Sequence, residues 1–400
     1  MLGDYIAADI LMQNIPIYLD YAAATPCDPR VFSAMEPYFT REFYNPSSAY
    51  GAGVKVRQAY EAARAELASC LGAKTHEIIL TAGATESINL AVQGVLRAHP
   101  DSNVVVSAVE HHAVMAVANA YAHKIARVDS DGRASLPALE AAIDDSTVLV
   151  SIALVNSEIG TKQHIKDAAR IINAVREDRQ ARGIEQPLYL HTDASAAVES
   201  TDLAVHRLGV DLMTLSASKI YGPKQAGLLY VRRGVRIEPL IYGGGQEQSL
   251  RSGTENVAAQ VGFAASLRLA VSERAQRSTK LEQLRRACKA RLSEQIKDIV
   301  FTVPDKASAA HILHFSIPGI DAERLLFMLD QQGIMIATGA ACAANKQTAS
   351  HVLTAIGCGD DRIQGSVRLS FGYIMELESL NHATDCIINC VHKLKRHNEQ

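Results

Sequence analysis

Lys219 follows the apolar run of Asp211 to Ser216 and two small residues, Ala217 and Ser218, and a Gly-Pro turn then leads into a second apolar run, LLYV. A lysine at the tip of a strand with serines before it and no carboxylate beside it is poorly placed for a surface ion pair. It suits Schiff-base chemistry. Asp193 ends the earlier run LYLHTD in the same way, an acid at the carboxyl end of a strand. A lysine that can carry an imine and a carboxylate that can hold a ring nitrogen protonated are the pair by which pyridoxal-phosphate (PLP) enzymes keep their cofactor as an electron sink.

Other strand ends carry polar groups too. TAGATES, Thr81 to Ser87, follows the strand-like EIIL and opens the helical INLAVQGV. Small residues at a helix start expose backbone N–H groups at the positive end of the helix dipole, a site for a phosphate, with the Thr85 hydroxyl beside it. NVVVSA runs into VEHH, so His111 also stands past a strand, where its ring could stack on a planar cofactor and move protons. VNSEIG, Val155 to Gly160, ends a fourth run. Several polar strand ends on one edge of a parallel sheet describe a ligand crevice.

The elements that must position these residues are legible as a pattern. EIILT, NVVVSA, TVLVSIAL, PLYLHT, DLMTLSA and GLLYV are short apolar runs, mostly separated by helical stretches such as INLAVQGVLRAH, HAVMAVANAYAH and IKDAARIINAVREDRQA. That alternation predicts an α/β chain with a mainly parallel sheet covered on both faces, and the adjacent last two runs are the expected antiparallel exception. The large domain is expected over residues 16–260. Residues 1–15 and 261–400, with a long helical pattern and apolar runs at HILHFSI, GIMIA and SVRLSF, are expected to form a smaller α+β domain.

Composition narrows the classes of partner. The 400 residues are 48% apolar, enough for a large core, and acids exceed bases by 43 to 40 with no long run of one sign. Neither nucleic acid nor an anionic membrane is an expected partner. The start lacks a signal-peptide pattern and no run reaches the length of a membrane span, so a cytoplasmic location is expected. The seven cysteines are odd in number and scattered, which predicts no disulfide framework. Cys386, Cys390 and His392 read as residues of an apolar helix, so no metal site is expected.

In order and spacing, YLDYAAATP, NPSS, TAGATES, VEHHAV, VNSEIG, HTDAS, SKIYGPK, GGGQEQSLRSGTENV, TGAAC and SVRLSFG resemble the NifS/IscS-type cysteine desulfurases, PLP enzymes of the class V aminotransferase family with fold type I. The resemblance covers nearly the whole chain. It implies that Lys219 carries the cofactor, that Asp193 pairs with its ring nitrogen and that His111 stacks on the ring. It implies phosphate contacts from Ala84, Thr85, Ser216 and Ser218, and from Thr254 to the phosphate of the other subunit of a homodimer. Ser157 and Arg368 would hold the carboxylate of L-cysteine. Cys342, in the small and polar stretch ATGAACAANKQTAS, would take the sulfur as a persulfide and pass it to an acceptor such as an iron-sulfur scaffold or tRNA thiolation protein.

Three positions depart from the family pattern. Ser157, Ala196 and Ser218 stand where asparagine, glutamine and histidine are usual; where the family's first two side chains donate around the cofactor's phenolic oxygen, Ser157 is shorter and Ala196 donates nothing. A raised imine pKa is the expected consequence. Two other readings follow from the same residues: a PLP-dependent lyase or transaminase-like enzyme, or a degenerate homologue acting as a binding partner.

Overall fold

The computed structural model describes residues 16–339 and 349–398. Two compact units are present, one of residues 24–157 and 161–277, the other of residues up to 23, 158–160 and 278 onward.

The first unit is built on a seven-stranded sheet. In chain order its strands are β1 (Ile78–Thr81), β2 (Asn103–Ser107), β3 (His123–Ala126), β4 (Thr147–Ser151), β5 (Tyr189–Asp193), β6 (Leu212–Ser216) and β7 (Gly227–Val231). Across the sheet they lie in the order β1-β7-β6-β5-β4-β2-β3. Neighbours from β6 to β3 pair parallel, and β7 alone runs against both of its neighbours. The expectation of a reversed pair at the end of the series holds. Residues 217–226 join β6 to β7 and leave no room for the dozen or more residues of a parallel crossover, so the chain must turn back, and the turn carries Lys219.

Alternation sorts the strands' side chains onto two buried faces. Val104, Val106, Leu149, Leu212 and Leu229 join a core with Ile88, Ala91, Val92 and Val95 of the helix Ala84–Ala98. Val105, Val150, Leu190, Met213 and Leu228 on the other face are equally buried. That is why these strands read as unbroken apolar runs. Helices Gly51–Leu71 and Ile165–Ala181 stand where the amphipathic patterns placed them. One stretch differs: the helix after His111 ends at Ala118, and His123–Ala126 is the seventh strand. It is an edge strand, half-exposed and carrying Lys124, so neither an apolar run nor a clear helical period marks it.

In the second unit, strands Ala337–Thr338, Ser366–Ser370, Ile312–Ser316 and Val300–Phe301 form an antiparallel sheet in that order, and Ile17–Tyr18 pairs separately with Ile334–Met335. Leu313, Phe315, Val367 and Leu369 face a core shared with Leu284, Leu292, Leu380 and Ile387. By the two-residue period the opposite face carries His314, Ser316, Ser366, Arg368 and Ser370. Among the described residues no helix is long and apolar enough to cross a membrane.

Candidate active site

Lys219 ends a short 3₁₀ turn, Ala217–Lys219, that continues directly from β6. A residue distant in sequence fixes this turn. The Thr25 backbone N–H and hydroxyl both donate to the Ser218 carbonyl, at 3.0 and 3.1 Å, and the Thr25 Oγ1 accepts from the Tyr221 N–H at 2.7 Å. Lys224 Nζ closes the clamp on the Thr25 carbonyl at 2.9 Å. Lys219 is thereby held half-buried at the carboxyl end of the sheet.

Asp193 ends β5 and is the register partner of Thr214 on β6, so its side chain shares a face with Thr214 and, two residues on, Ser216. Its Oδ1 accepts from the Ser195 N–H at 2.9 Å. Beneath it lies His191, wholly buried, with one ring nitrogen 2.8 Å from Ser151 Oγ and the other 3.0 Å from Thr214 Oγ1. Burial pushes this imidazole well below its usual value, so it is neutral.

Glu110 and His111 leave the end of β2. Glu110 is buried, accepts from Ser107 Oγ at 2.5 Å and the Ala153 N–H at 2.9 Å, and is pushed by burial up to about 8. This buried anchor fixes the backbone on which His111 stands exposed. The His111 Nδ1 accepts from the Ala113 N–H at 3.0 Å, which assigns the ring proton to Nε2.

The residues expected around a phosphate converge through the sheet's register. Ser216 and Thr81 are both register partners of Gly227, from the strands on either side of β7. Gly227 lies against the turn before the helix Ala84–Ala98: a Cβ there would come within 2.6 Å of the Gly83 Cα. Ser216 Oγ is 3.0 Å from Ser218 Oγ. The helix has Gly83 (φ +137°) as its N-cap, with no side-chain cap bond, so its first N–H groups at Ala84 and Thr85 have no intrahelical acceptor. A Cβ on Gly83 would meet nothing within 4 Å. Hydroxyls, unsatisfied N–H groups and open space beside a glycine fit a phosphate. Asp193 for a ring nitrogen and Lys219 for an aldehyde fit the rest of PLP.

Thr254 is exposed in a cleft of about 210 Å³ lined by Tyr38, Phe39, Phe43, Tyr44 and Asn256. Ser157 and Ala196 are half-buried, the latter in the turn after β5. Arg368 belongs to the second unit, where its Nη2 donates to Asp20 Oδ1 at 2.6 Å. It stands opposite His314, a fully buried imidazole that burial first, and the guanidinium charge second, push down to about 3. Cys342 lies outside the described residues. Thr25, Asp20 and Glu110 were not singled out from the sequence. Only their place inside YLDYAAATP and VEHH could have pointed to them.

Residues 17–382 match the model of the aminotransferase class-V family. The chain is 36% identical over 387 residues to the cysteine desulfurase IscS of Dictyoglomus turgidum, covering 95% of each chain. Among solved structures it is similar to a NifS-like protein, with a TM-score of 0.86 and 31% identity over 94% of this chain and 100% of that one. A structure of SspA in complex with cysteine aligns with a TM-score of 0.74 and 29% identity, over 89% of this chain and 99% of that one.

Proposed function

The chain belongs to the aminotransferase class-V family, and from that premise we propose that it is a PLP-dependent cysteine desulfurase, converting L-cysteine to L-alanine with transfer of sulfur to Cys342. The observation that carries the reading is the single sheet edge on which Asp193, Ser216, Ser218, Lys219 and the start of the helix Ala84–Ala98 meet.

When bound, PLP supplies an electron sink for the substrate's bonding electrons. The rest is assigned to this chain's own residues. Asp193 keeps a proton on the ring nitrogen, and Lys219 anchors the aldehyde and exchanges protons with the substrate. Ala84, Thr85, Ser216 and Ser218 bind the phosphate. His111, with its proton on Nε2, stacks on the ring and can donate that proton. The Cys342 thiolate attacks the substrate's sulfur: an S–S bond forms, the substrate's C–S bond breaks with its electron pair left on carbon, and protonation of that carbon gives alanine. Ser157 and Arg368 are assigned to the substrate carboxylate, for which a guanidinium fork is suited.

The reading includes a homodimer in which Thr254 reaches the partner's phosphate. The aromatic cleft around Thr254, with Phe39 and Phe43 more than half exposed, supports it as a surface that a second copy would cover. The persulfide's acceptor would be an iron-sulfur scaffold or a tRNA thiolation protein.

The test is alanine and sulfide release from L-cysteine by PLP-loaded protein with a thiol reductant, beside Cys342→Ala. Equal amounts of both products, lost in the variant, support the assignment. Full activity in the variant would replace it with a PLP-dependent lyase or transaminase-like reaction to which Cys342 is incidental.

A further inference from the structure

The first turn of the phosphate-binding helix contains an acid. Glu86 is its third residue, and the carboxylate folds back over the preceding turn, where Oε2 accepts the Ala82 N–H at 3.1 Å. A negative charge there favours the helix dipole, but it also stands beside the N–H groups assigned to a phosphate dianion and opposes that second anion. Arg251 answers it. Its Nε donates to Glu86 Oε1 at 2.8 Å across 165 residues of sequence, and the pair is about four-fifths buried.

The loop that brings Arg251 to this place is held at two points around the turn of residues 81–83. Three successive non-glycine residues, Glu247, Gln248 and Ser249, are left-handed, with φ of +49°, +59° and +66°. Such a turn persists only where its surroundings over-determine it. Here the buried Glu247 carboxylate does so: it accepts two bonds of 2.6 Å from Arg64, one of 2.9 Å from the Tyr60 hydroxyl and one of 2.7 Å from the Leu80 N–H. Leu80 immediately precedes the phosphate turn, and Glu86 follows it. The strained segment therefore grips the turn's entry with Glu247 and its exit with Arg251.

We infer that Arg251 is a positioning residue for the cofactor's phosphate, acting through Glu86: it cancels the carboxylate's charge and locks the turn whose N–H groups bind the anion. This role rests on the proposed PLP site.

The experiment titrates full-length protein stripped of cofactor with PLP and with pyridoxal, which lacks the phosphate, following the absorbance of the imine. Arg251→Gln is expected to weaken PLP by about tenfold or more while changing pyridoxal by no more than about twofold, because the opposing charge acts only on the phosphate. Adding Glu86→Gln to Arg251→Gln should restore PLP affinity to within about threefold of the parent, the coupling expected of two charges in contact. Arg251→Lys, which keeps the charge, should stay near the parent and covers the case in which Arg251→Gln fails to fold. Equal losses for PLP and pyridoxal, a double variant as weak as Arg251→Gln, or an unaffected Arg251→Gln would each overturn the role while leaving the PLP site standing. A parent protein that binds neither compound would overturn the cofactor site and this role together.

Discussion

Gly227 touches Gly83: a Cβ on the first residue of β7 would lie 2.6 Å from the Cα of the glycine that caps the helix Ala84–Ala98. The same residue pairs in register with Thr81 and Ser216. One close backbone approach thus sets the distance between the hydroxyls of the Lys219 turn and the N–H groups of the helix.

Gly227→Ala should separate them. Overpacking of this kind costs about 1–3 kcal/mol, and the displaced turn should bind PLP more weakly. Thermal unfolding and the imine absorbance of the purified variant check both effects. Retention of full cofactor content would show that the contact does not set the site.

The Glu247 anchor should matter to stability outright. Both Glu247 and Arg64 are nearly inaccessible, with 3% and 8% of their side chains exposed. Glu247→Ala leaves a buried guanidinium, the Tyr60 hydroxyl and the Leu80 N–H without their shared acceptor. Loss of one partner of a buried pair costs about 3–5 kcal/mol. Urea unfolding at neutral pH should show a loss of that order, and a change below about 1 kcal/mol would refute the anchoring role.

Glu110 gives the cofactor-free protein a pH signature. Burial raises its folded value from the ordinary 4.5 to about 8, so between these limits the folded state binds the proton more tightly than the unfolded chain does. The stability it contributes is complete below about pH 4.5 and is lost as pH rises through about 8. Glu110→Gln should remove this slope and lose less stability than the parent between acid and mildly alkaline pH. Parallel stability curves for the two proteins would show that Glu110 does not titrate this way.

Ala196 offers no donor in the turn after Asp193. Ala196→Gln should return one to the cofactor's phenolic oxygen, favour the deprotonated imine and move its absorbance titration to lower pH. An unchanged midpoint would rule out a raised imine pKa caused at this position.

The sequence by itself determined which residues have the right chemistry and which end of the sheet they occupy. Buried strands must be continuously apolar, so the points where those runs stop, at Ser107, Ser151, Asp193 and Ser216, are visible as a change of residue type. The reversal at β7 was legible for a similar reason, since the link through Lys219 is too short for a crossover. The edge strand His123–Ala126 was not, because half-exposed residues carry no unbroken apolar signal. Only the tertiary structure decided what holds the chemistry in place. Thr25 on the Ser218 carbonyl, Arg251 on Glu86 and Asp20 on Arg368 join positions 193, 165 and 348 residues apart. Local periodicity reports how a residue sits in its own helix or strand. It holds no information on which distant polar group meets it, because that pairing is fixed only when the sheet's register and the loops' paths bring the two chains of atoms within hydrogen-bond reach.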